Sequence, residues 1–448
     1  MTRTELPRRL VWTWLTILAL GGCATLPLPA APTRGLPPPS REVLSNGLRL
    51  IIQEHRAADV VALQLWVGVG ARDESPAERG FSHFVEHMLF KGTPTLGRGF
   101  VDQEVEGVGG RTNAGTSYDY TFYYMLLPVT RAMRGIEVLA DMAFNAAFDP
   151  EEMVREREVV FEEVRLADDN VRTFLNRRLH ELMFEGHPYG FPVLGDPAAL
   201  RAADQTALRG YYRRHYVPEN MAVVVVGPVS PPEVRAAVAR AFGVTARSVR
   251  DRVMAPAAPP LDGGRQRVVQ RPERQASLGL GWTAPALGHP DMFAMDVLSH
   301  ILGGSRSSRL NQALRERARL VTSIGAAYSA QQRGGALTIT AQFEPADARR
   351  VEAAILEEVR RVQEQGVTPE ELARAVTASE SAHEFGRETV EGLARAYGRA
   401  ETVWTLEAEL RYLDGIRSLT REAVREAARR YLAAPHVRLA LEPGGRGR

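Results

Sequence analysis

One stretch constrains the fold more than any other: FSHFVEHMLF, residues 81–90, is mostly apolar but carries two histidines and a glutamate. His83 and His87 are four residues apart, so on an α-helix their imidazoles lie on one face about one turn apart, with Glu86 beside them. The aromatic and aliphatic residues around them predict that this helix is buried. Burying three polar side chains without partners costs on the order of several kcal/mol, so we predict that a metal ion satisfies them.

Two imidazoles and one further protein ligand match a catalytic zinc site, which keeps a fourth position open for water. Zinc lowers the pKa of such a water from ~15.7 toward ~7, and Glu86 is placed to take its proton. The third ligand must come from elsewhere, and the acid-rich segment 151–164 offers several carboxylates. Glu156 and Glu163 share one helix face, whereas Glu162 points about 100° away. Periodicity alone does not choose between them.

The N-terminus has the layout of an export signal. Three arginines precede an apolar run at residues 10–20, which is too short for a comfortable membrane span. The run ends in Leu-Gly-Gly-Cys23, which resembles a lipobox; an ordinary signal peptide is the alternative. Cys23 is the only cysteine, so it forms no internal disulfide. We therefore predict a signal peptide over residues 1–23, a lipid on Cys23, and a Pro-rich tether over residues 24–43.

Length and composition indicate a globular protein with two domains. At 448 residues the chain exceeds one ordinary core. Residues 244–264, rich in Pro and Gly, are typical of a linker, and they divide the folded part into predicted domains at residues 44–243 and 265–448. A net charge of +2 gives no reason to expect a nucleic acid partner. Lys91 is the only lysine, which we attribute to the arginine-rich composition of the whole chain.

The order of predicted elements repeats in the two domains. A strand over residues 60–69 precedes the motif helix, and a strand over residues 276–282 precedes a second helix. Superimposing these pairs puts Asp296 and His300 where the first copy has its two histidines. The repetition indicates an internal duplication in which only the first copy holds metal. Periodicity predicts further helices over about residues 101–108, 130–145, 150–167, 171–184, 203–215, 308–317, 346–365, 369–385 and 390–402.

The motif as a whole, His83-x-x-Glu86-His87 followed by Glu163, resembles the inverted zinc motif of the pitrilysin/insulinase metallopeptidases. The match is closest to the short, two-domain branch that includes the mitochondrial processing peptidase. It implies an α+β fold of two homologous domains, each a mixed, mostly antiparallel sheet packed with helices. Further runs similar to the family are HMLFKGT (87–93), NAGT (113–116), EREVVFEE (156–163), HPYG (187–190), YVPENM (216–221) and GGSRSSRL (303–310).

The resemblance also assigns roles to the acidic and histidine residues of the first domain. It implies that His83, His87 and Glu163 bind one Zn²⁺ ion. Glu86 is then the general base, and Glu156 is an outer carboxylate that orients the ligands.

Substrate binding is implied at two further places. A peptide is expected to add as a strand to the sheet edge near Asn113 and Ala114. Family members also hold substrate with an Arg and a Tyr seven residues apart in the second half. Here Arg315 is present, but Thr322 stands where the tyrosine would be, and the spacing of Tyr328 is wrong.

These features lead to an expected function. The resemblance implies a zinc-dependent endopeptidase that hydrolyses peptides or unfolded protein segments, and the N-terminal signal predicts that it acts in the cell envelope. The alternative is a catalytically idle peptide-binding or assembly subunit that retains zinc structurally. We expect export to the periplasmic side and a lipid anchor, with the outer membrane favoured because Ala24, not Asp, follows the acylated cysteine.

A partner chain is also expected. Enzymes resembling this one enclose peptides in a chamber of four such domains, and this chain supplies two. Since position 322 lacks the tyrosine, a heterodimer with a second chain of similar fold is favoured over a homodimer.

Overall fold

The computed structural model of the chain describes residues 36–248 and 255–444. Cys23, the predicted signal peptide and most of the predicted tether lie outside these ranges. The strands are β1 (Ser40–Val43), β2 (Arg49–Glu54), β3 (Val60–Val67), β4 (Arg111–Thr116), β5 (Thr121–Pro128), β6 (Met221–Gly227), β7 (Arg265–Arg271), β8 (Ala276–Ala284), β9 (Ser323–Gln331), β10 (Gly334–Phe343) and β11 (Val437–Pro443).

Helices surround these strands. They are α1 (Phe81–Met88), α2 (Phe100–Glu104), α3 (Ala132–Asn145), α4 (Pro150–Asp169), α5 (Val171–Met183), α6 (Pro197–Ala202), α7 (Gln205–His215), α8 (Pro231–Phe242), α9 (Met292–Gly303), α10 (Ala348–Gln365), α11 (Pro369–Gly386), α12 (Val390–Val403), α13 (Leu406–Leu410), α14 (Tyr412–Arg417) and α15 (Arg421–Leu432). Within the described ranges, no helix has both the length and the apolar character needed to cross a membrane.

The strands form two mixed sheets that share one topology, apart from the additional edge strand β1 in the first sheet. The first sheet has the order β1-β2-β6-β3-β5-β4, and the second has the order β7-β11-β8-β10-β9. In each sheet one parallel pair, β2 with β6 or β7 with β11, is followed by antiparallel neighbours. Helix α1 follows β3 as α9 follows β8. The α+β fold class is therefore confirmed, and the repeated topology is what an internal duplication predicts.

Strand β6, MAVVVVG, is buried along its whole length because helices cover both of its faces. Val223 and Val225 belong to the core of the first sheet, which α3 and α8 help to form. Ala222, Val224 and Val226 face the other way and pack against α12. Since α12 lies far along the chain, the first sheet is completed by a helix from the second half.

The second sheet receives a helix in return. Helix α5, from the first half, packs against β8 and β11. Gly279 and Gly281 allow the close approach, because a β-carbon at either position would lie within 3.1 Å of Leu179 or Met183. The two halves therefore exchange helices, so each sheet is covered by chain from both sides of residues 244–264. The predicted domain boundaries remain a prediction.

Several local expectations need correction. Ser40–Val43, predicted as part of the tether, pairs antiparallel with β2 as an edge strand. The helix predicted over residues 101–108 is instead the short α2 and a 3₁₀ turn, Glu106–Val108, in a glycine-rich segment. The helix predicted over residues 308–317 is a π-helical segment at Asn311–Arg317. Asn170 caps α5, since its side chain accepts a hydrogen bond from the Thr173 amide.

The exchange of α12 generates a prediction about stability. Gly398 lies against the Trp66 indole, and a β-carbon at position 398 would come within 2.0 Å of Nε1. Gly398→Ala should therefore push α12 off the first sheet, and overpacking of this kind typically costs about 1–3 kcal/mol. The unfolding midpoint in urea measures the loss.

Gly386→Ala is the matched control, because Gly386 is also helical but a β-carbon there meets nothing within 4 Å. This variant should be neutral or more stable by up to ~1 kcal/mol from helix propensity. Equal midpoints for the two variants would contradict the packing argument.

Candidate metal centre and peptide cleft

Helix α1 carries the motif and is buried on its apolar face. Phe84, Val85 and Met88 are inaccessible to solvent and belong to the first core. A carboxylate that the sequence pattern did not single out caps the helix: Glu74 accepts hydrogen bonds from the amides of Gly80 (2.7 Å) and Ser82 (2.8 Å). Burial raises the pKa of Glu74 to about 8. Glu74 thus fixes the start of the helix that presents the two histidines.

Helix α4 supplies the acidic side of the site. It begins at an Asp149 cap, whose side chain accepts hydrogen bonds from the Glu151 and Glu152 amides. The helix then continues to Asp169 and packs against α1. Its length places Glu156 and Glu163 on one face, two turns apart.

Three side chains converge between α1 and α4. His83 Nε2 lies 3.3 Å from His87 Nε2 and 3.3 Å from a Glu163 carboxylate oxygen, and His87 Nε2 lies 3.7 Å from the same oxygen. Ligands bound ~2.0–2.1 Å from a tetrahedral zinc ion stand ~3.3–3.4 Å apart, so the three atoms fit such an ion. Glu162 points away and pairs with Arg165. The packing therefore distinguishes Glu163 from Glu162, which periodicity did not.

The surroundings shift the pKa values of the two imidazoles in opposite directions. Burial, together with the neighbouring His87, lowers the pKa of His83 to about 3. Burial also lowers the pKa of His87, but the hydrogen bond to Glu156 and the charges of Glu163 and Glu86 outweigh it and raise that pKa overall. His83 is therefore neutral at physiological pH, which is the form that binds zinc.

Glu156 lies behind His87 and is held from two sides. One carboxylate oxygen is 3.1 Å from His87 Nδ1, and the other is 2.7 Å from Lys91 Nζ. Burial raises the pKa of Glu156, but the hydrogen bonds from His87 and Lys91 outweigh it, so the pKa is lowered. A carboxylate on the far nitrogen of a ligating histidine fixes its tautomer and orientation. The single lysine, attributed above to composition, thus lies in the site itself.

Glu86 faces the same cleft. Its carboxylate accepts a hydrogen bond of 2.5 Å from Thr116 Oγ1 on β4. Burial raises the pKa of Glu86, and the Thr116 hydrogen bond and His87 oppose that rise. Glu86 is thus oriented by a strand residue that the sequence pattern did not identify.

The cleft has a volume of about 530 Å³ and runs along an open sheet edge. Strand β4 lies at the end of the first sheet and pairs with β5 alone among the described strands. Asn113 and Ala114 on β4 line the cleft, as the peptide-binding expectation requires. The other lining residues are His83, Glu86, His87, Phe90, Lys91, Gly115, Thr116, Glu156, Glu163, Val193 and Leu194.

The second-half residues named from the sequence lie elsewhere. Arg315 is on the π-helical segment and does not line this cleft. Thr322 is exposed, and its hydroxyl donates to the Gln342 carbonyl at 3.1 Å. Asp296 on α9 accepts a hydrogen bond from the Tyr412 hydroxyl at 2.9 Å. Within the described ranges, no group of three metal-binding side chains forms around α9.

Comparison with known proteins agrees with this geometry. Residues 49–197 match the insulinase family, peptidase family M16, and residues 202–379 match the peptidase M16 inactive domain. An uncharacterized zinc protease of Mycobacterium tuberculosis is 32% identical over 427 residues, covering 93% of this chain and 96% of the relative. One from Bacillus subtilis is 28% identical over 407 residues, covering 90% of this chain and 98% of the relative.

Solved structures share the fold. A protease from Helicobacter pylori superimposes with a TM-score of 0.86 at 24% identity, over 91% of this chain and all of the other. A peptidase M16 inactive domain from Pseudomonas fluorescens gives a TM-score of 0.83 at 18% identity, over 92% of this chain and 99% of the other. The chain belongs to the pitrilysin/insulinase (M16) peptidase family, which confirms the resemblance.

The contact between Lys91 and Glu156 generates a prediction. Lys91→Met keeps an unbranched apolar stem but removes the cation, so the Glu156 carboxylate is held by His87 alone. Loss of such an outer contact typically weakens metal binding ~10–100-fold. We expect the zinc dissociation constant to rise by that factor when measured by competition with a chromophoric chelator at fixed pH.

Arg98→Met is the control, since Arg98 pairs with carboxylates at the start of α4, away from the cleft. It should bind zinc like the parent chain. The same dissociation constant for Lys91→Met and the parent would show that Lys91 does not support the site.

Proposed function

We propose that the chain is a zinc-dependent endopeptidase that hydrolyses peptides or unfolded protein segments in the cell envelope. One observation carries this: His83, His87 and Glu163 converge beside Glu86 in a cleft that also contains a free strand edge. A metal triad, a general base and a peptide-binding edge are the components that peptide hydrolysis needs.

The chemistry divides among these residues. His83, His87 and Glu163 would hold the zinc ion, which would supply Lewis acidity toward the scissile carbonyl and a water molecule. Glu86 accepts the proton of the attacking water and delivers it to the leaving amine. The Thr116 hydroxyl donates a hydrogen bond to one Glu86 oxygen and thereby keeps the carboxylate oriented toward the cleft.

Substrate orientation follows from the strand edge. A peptide that pairs with β4 lies extended along Asn113 and Ala114, next to Glu86. Because β4 is six residues long, such pairing suits an internal segment of a chain and supports cleavage within it.

The rival is an idle peptide-binding or assembly subunit with structural zinc. A structural zinc site is closed by four protein ligands. In the described part of the chain the group contains three, His83, His87 and Glu163, with Glu156 turned to the far side of His87. The open fourth position favours catalysis, and hydrolysis of a quenched peptide library with and without a chelator separates the two functions.

Substitution of the general base gives the sharpest test of the mechanism. Glu86→Gln should retain zinc, because no ligand is removed, while peptide hydrolysis falls by at least ~10²–10⁴. His83→Ala should lose both zinc and activity. Metal content and cleavage of a fluorogenic peptide are measured on the same preparations, with the partner chain added if the parent needs it for activity. Equal activity of Glu86→Gln and an active parent would refute the assignment.

We further propose that a second chain of similar fold completes the peptide chamber, with a heterodimer favoured. The cleft lies at an open sheet edge, and Thr322 does not complete a gripping pair with Arg315. Purified alone, the chain should be monomeric or weakly dimeric and nearly inactive, and a stable interface should bury more than ~1,000 Å². Full activity from a preparation that light scattering shows to be monomeric would overturn this proposal.

The location is proposed from the sequence alone. The mature chain is expected to begin at an acylated Cys23 and to be held on the periplasmic side, with the outer membrane favoured. Cys23→Ser should release the protein or leave its signal uncut. Metabolic labelling with a fatty acid, followed by fractionation, checks both, and an unlabelled parent chain would exclude the anchor.

A further inference from the structure

A buried polar cluster joins the two halves close to the cleft. Asp119 accepts hydrogen bonds from Arg72 Nη1 (2.7 Å) and the Tyr189 hydroxyl (2.6 Å) on one oxygen, and from the Gln332 amide (2.9 Å) on the other. The Tyr189 hydroxyl in turn accepts from the Arg333 amide at 3.0 Å. Arg72, Asp119 and Tyr189 are at most 4% exposed. We call this cluster the clamp.

The clamp holds the tip of one particular hairpin. Asp119 lies in the four-residue connection between β4 and β5, residues 117–120, in which the Ser117 amide donates to the Tyr120 carbonyl. The amides of Ala71 and Arg72, in the segment before α1, donate to the carbonyls of Ser117 and Tyr118. The hairpin tip is therefore fixed both by the chain that leads into the motif helix and by the second half.

The contact from the second half comes from another hairpin turn. Gln332 and Arg333 connect β9 to β10, the strands that correspond to β4 and β5 in the repeated topology. Tyr189 belongs to the HPYG run, which has no part in the proposed chemistry. A buried ion pair adds little net stability because desolvation offsets its attraction, so the value of the clamp lies in the geometry that it fixes.

The clamp is close to the cleft along the chain, since Asp119 is three residues from Thr116. Thr116, which donates to the Glu86 carboxylate, ends β4 just before the clamped turn. Asn113 and Ala114 lie on the same strand. Because β4 has only one neighbouring strand, its position depends more on the turn than that of a central strand does.

We propose that Asp119 and Tyr189 are positioning residues through which the second half holds β4 and Thr116 against Glu86. The proposal rests on the proposed peptidase function for its effect on catalysis. The zinc ligands lie on α1 and α4, outside the clamp, so loosening the hairpin should disturb Glu86 and the substrate edge without removing zinc.

The test uses Tyr189→Phe in the full chain, which removes one bridging hydroxyl and leaves the ring and the Arg72–Asp119 pair in place. Asp119→Asn is the stronger variant if it folds. Zinc affinity is measured on the chain, and kcat and KM are measured on the zinc-loaded, active form, with the partner chain present if activity needs it. Hydrogen exchange of residues 111–124 is followed on the same variants. We expect unchanged zinc affinity, faster exchange of this segment, and a fall in kcat of about 10–100-fold, since misplacement by ~1 Å can cost ~10² in rate.

Tyr212→Phe is the matched control, because it also removes a buried tyrosine hydroxyl, one that donates to the Ala143 carbonyl away from β4. It should leave kcat and exchange of residues 111–124 unchanged. A merely structural clamp would lower the melting temperature while kcat per zinc-bound molecule stayed at the parent value, and that result would overturn the proposal.

The experiments distinguish failure of the proposed peptidase function from failure of the clamp proposal. If the parent chain hydrolyses no peptide, either alone or with a partner, the peptidase assignment fails, but hydrogen exchange still tests the clamp. Faster exchange of residues 111–124 in Tyr189→Phe than in Tyr212→Phe would then support the clamp, and equal exchange would reject it.

Discussion

The need to satisfy polar groups on a buried helix determines much of the structure around α1. Its apolar face belongs to the core, so His83, Glu86 and His87 cannot all turn to bulk water. Their partners come from two other elements: Thr116 on β4 for Glu86, and, on α4, Glu156 for His87 and Glu163 for both histidines. An unpaired polar group at such a depth is costly, so the fold must bring β4 and α4 to this helix. The cleft between them results from that requirement.

Residue spacing alone predicts the local part of this site, whereas the long-range part could be assigned only through the family resemblance. Spacing places two histidines and Glu86 on one helical turn, because helix geometry depends only on neighbours. The choice between Glu162 and Glu163 depends on which face of α4 packs on α1, and periodicity holds no information about that. Glu74 and Lys91 gain their roles from contacts with Gly80 and Glu156, which no local pattern encodes.

The same division applies to the fold. The run MAVVVVG indicates a strand buried on both faces, and β6 is one. The helix that covers its second face, α12, lies in the other half of the chain, so the pattern of β6 cannot identify it. In the sequence, Gly398 is only a residue of low helix propensity. The structure shows why glycine stands there, because the Trp66 indole leaves no room for a β-carbon. Strand β1 was missed because its four residues are polar or exposed and show no hydrophobic alternation.

The helix exchange also shows what the second half contributes to the first. The second half repeats the topology of the first, yet around α9 Asp296 bonds to Tyr412, and no group of metal-binding side chains forms among the described residues there. The second half contributes two contacts to the first: α12 packs on the first sheet, and the turn at Gln332 binds Asp119. A duplicated half that supports the other in this way cannot be lost without exposing the apolar face of β6, which is a physical reason for both copies to be retained in one chain.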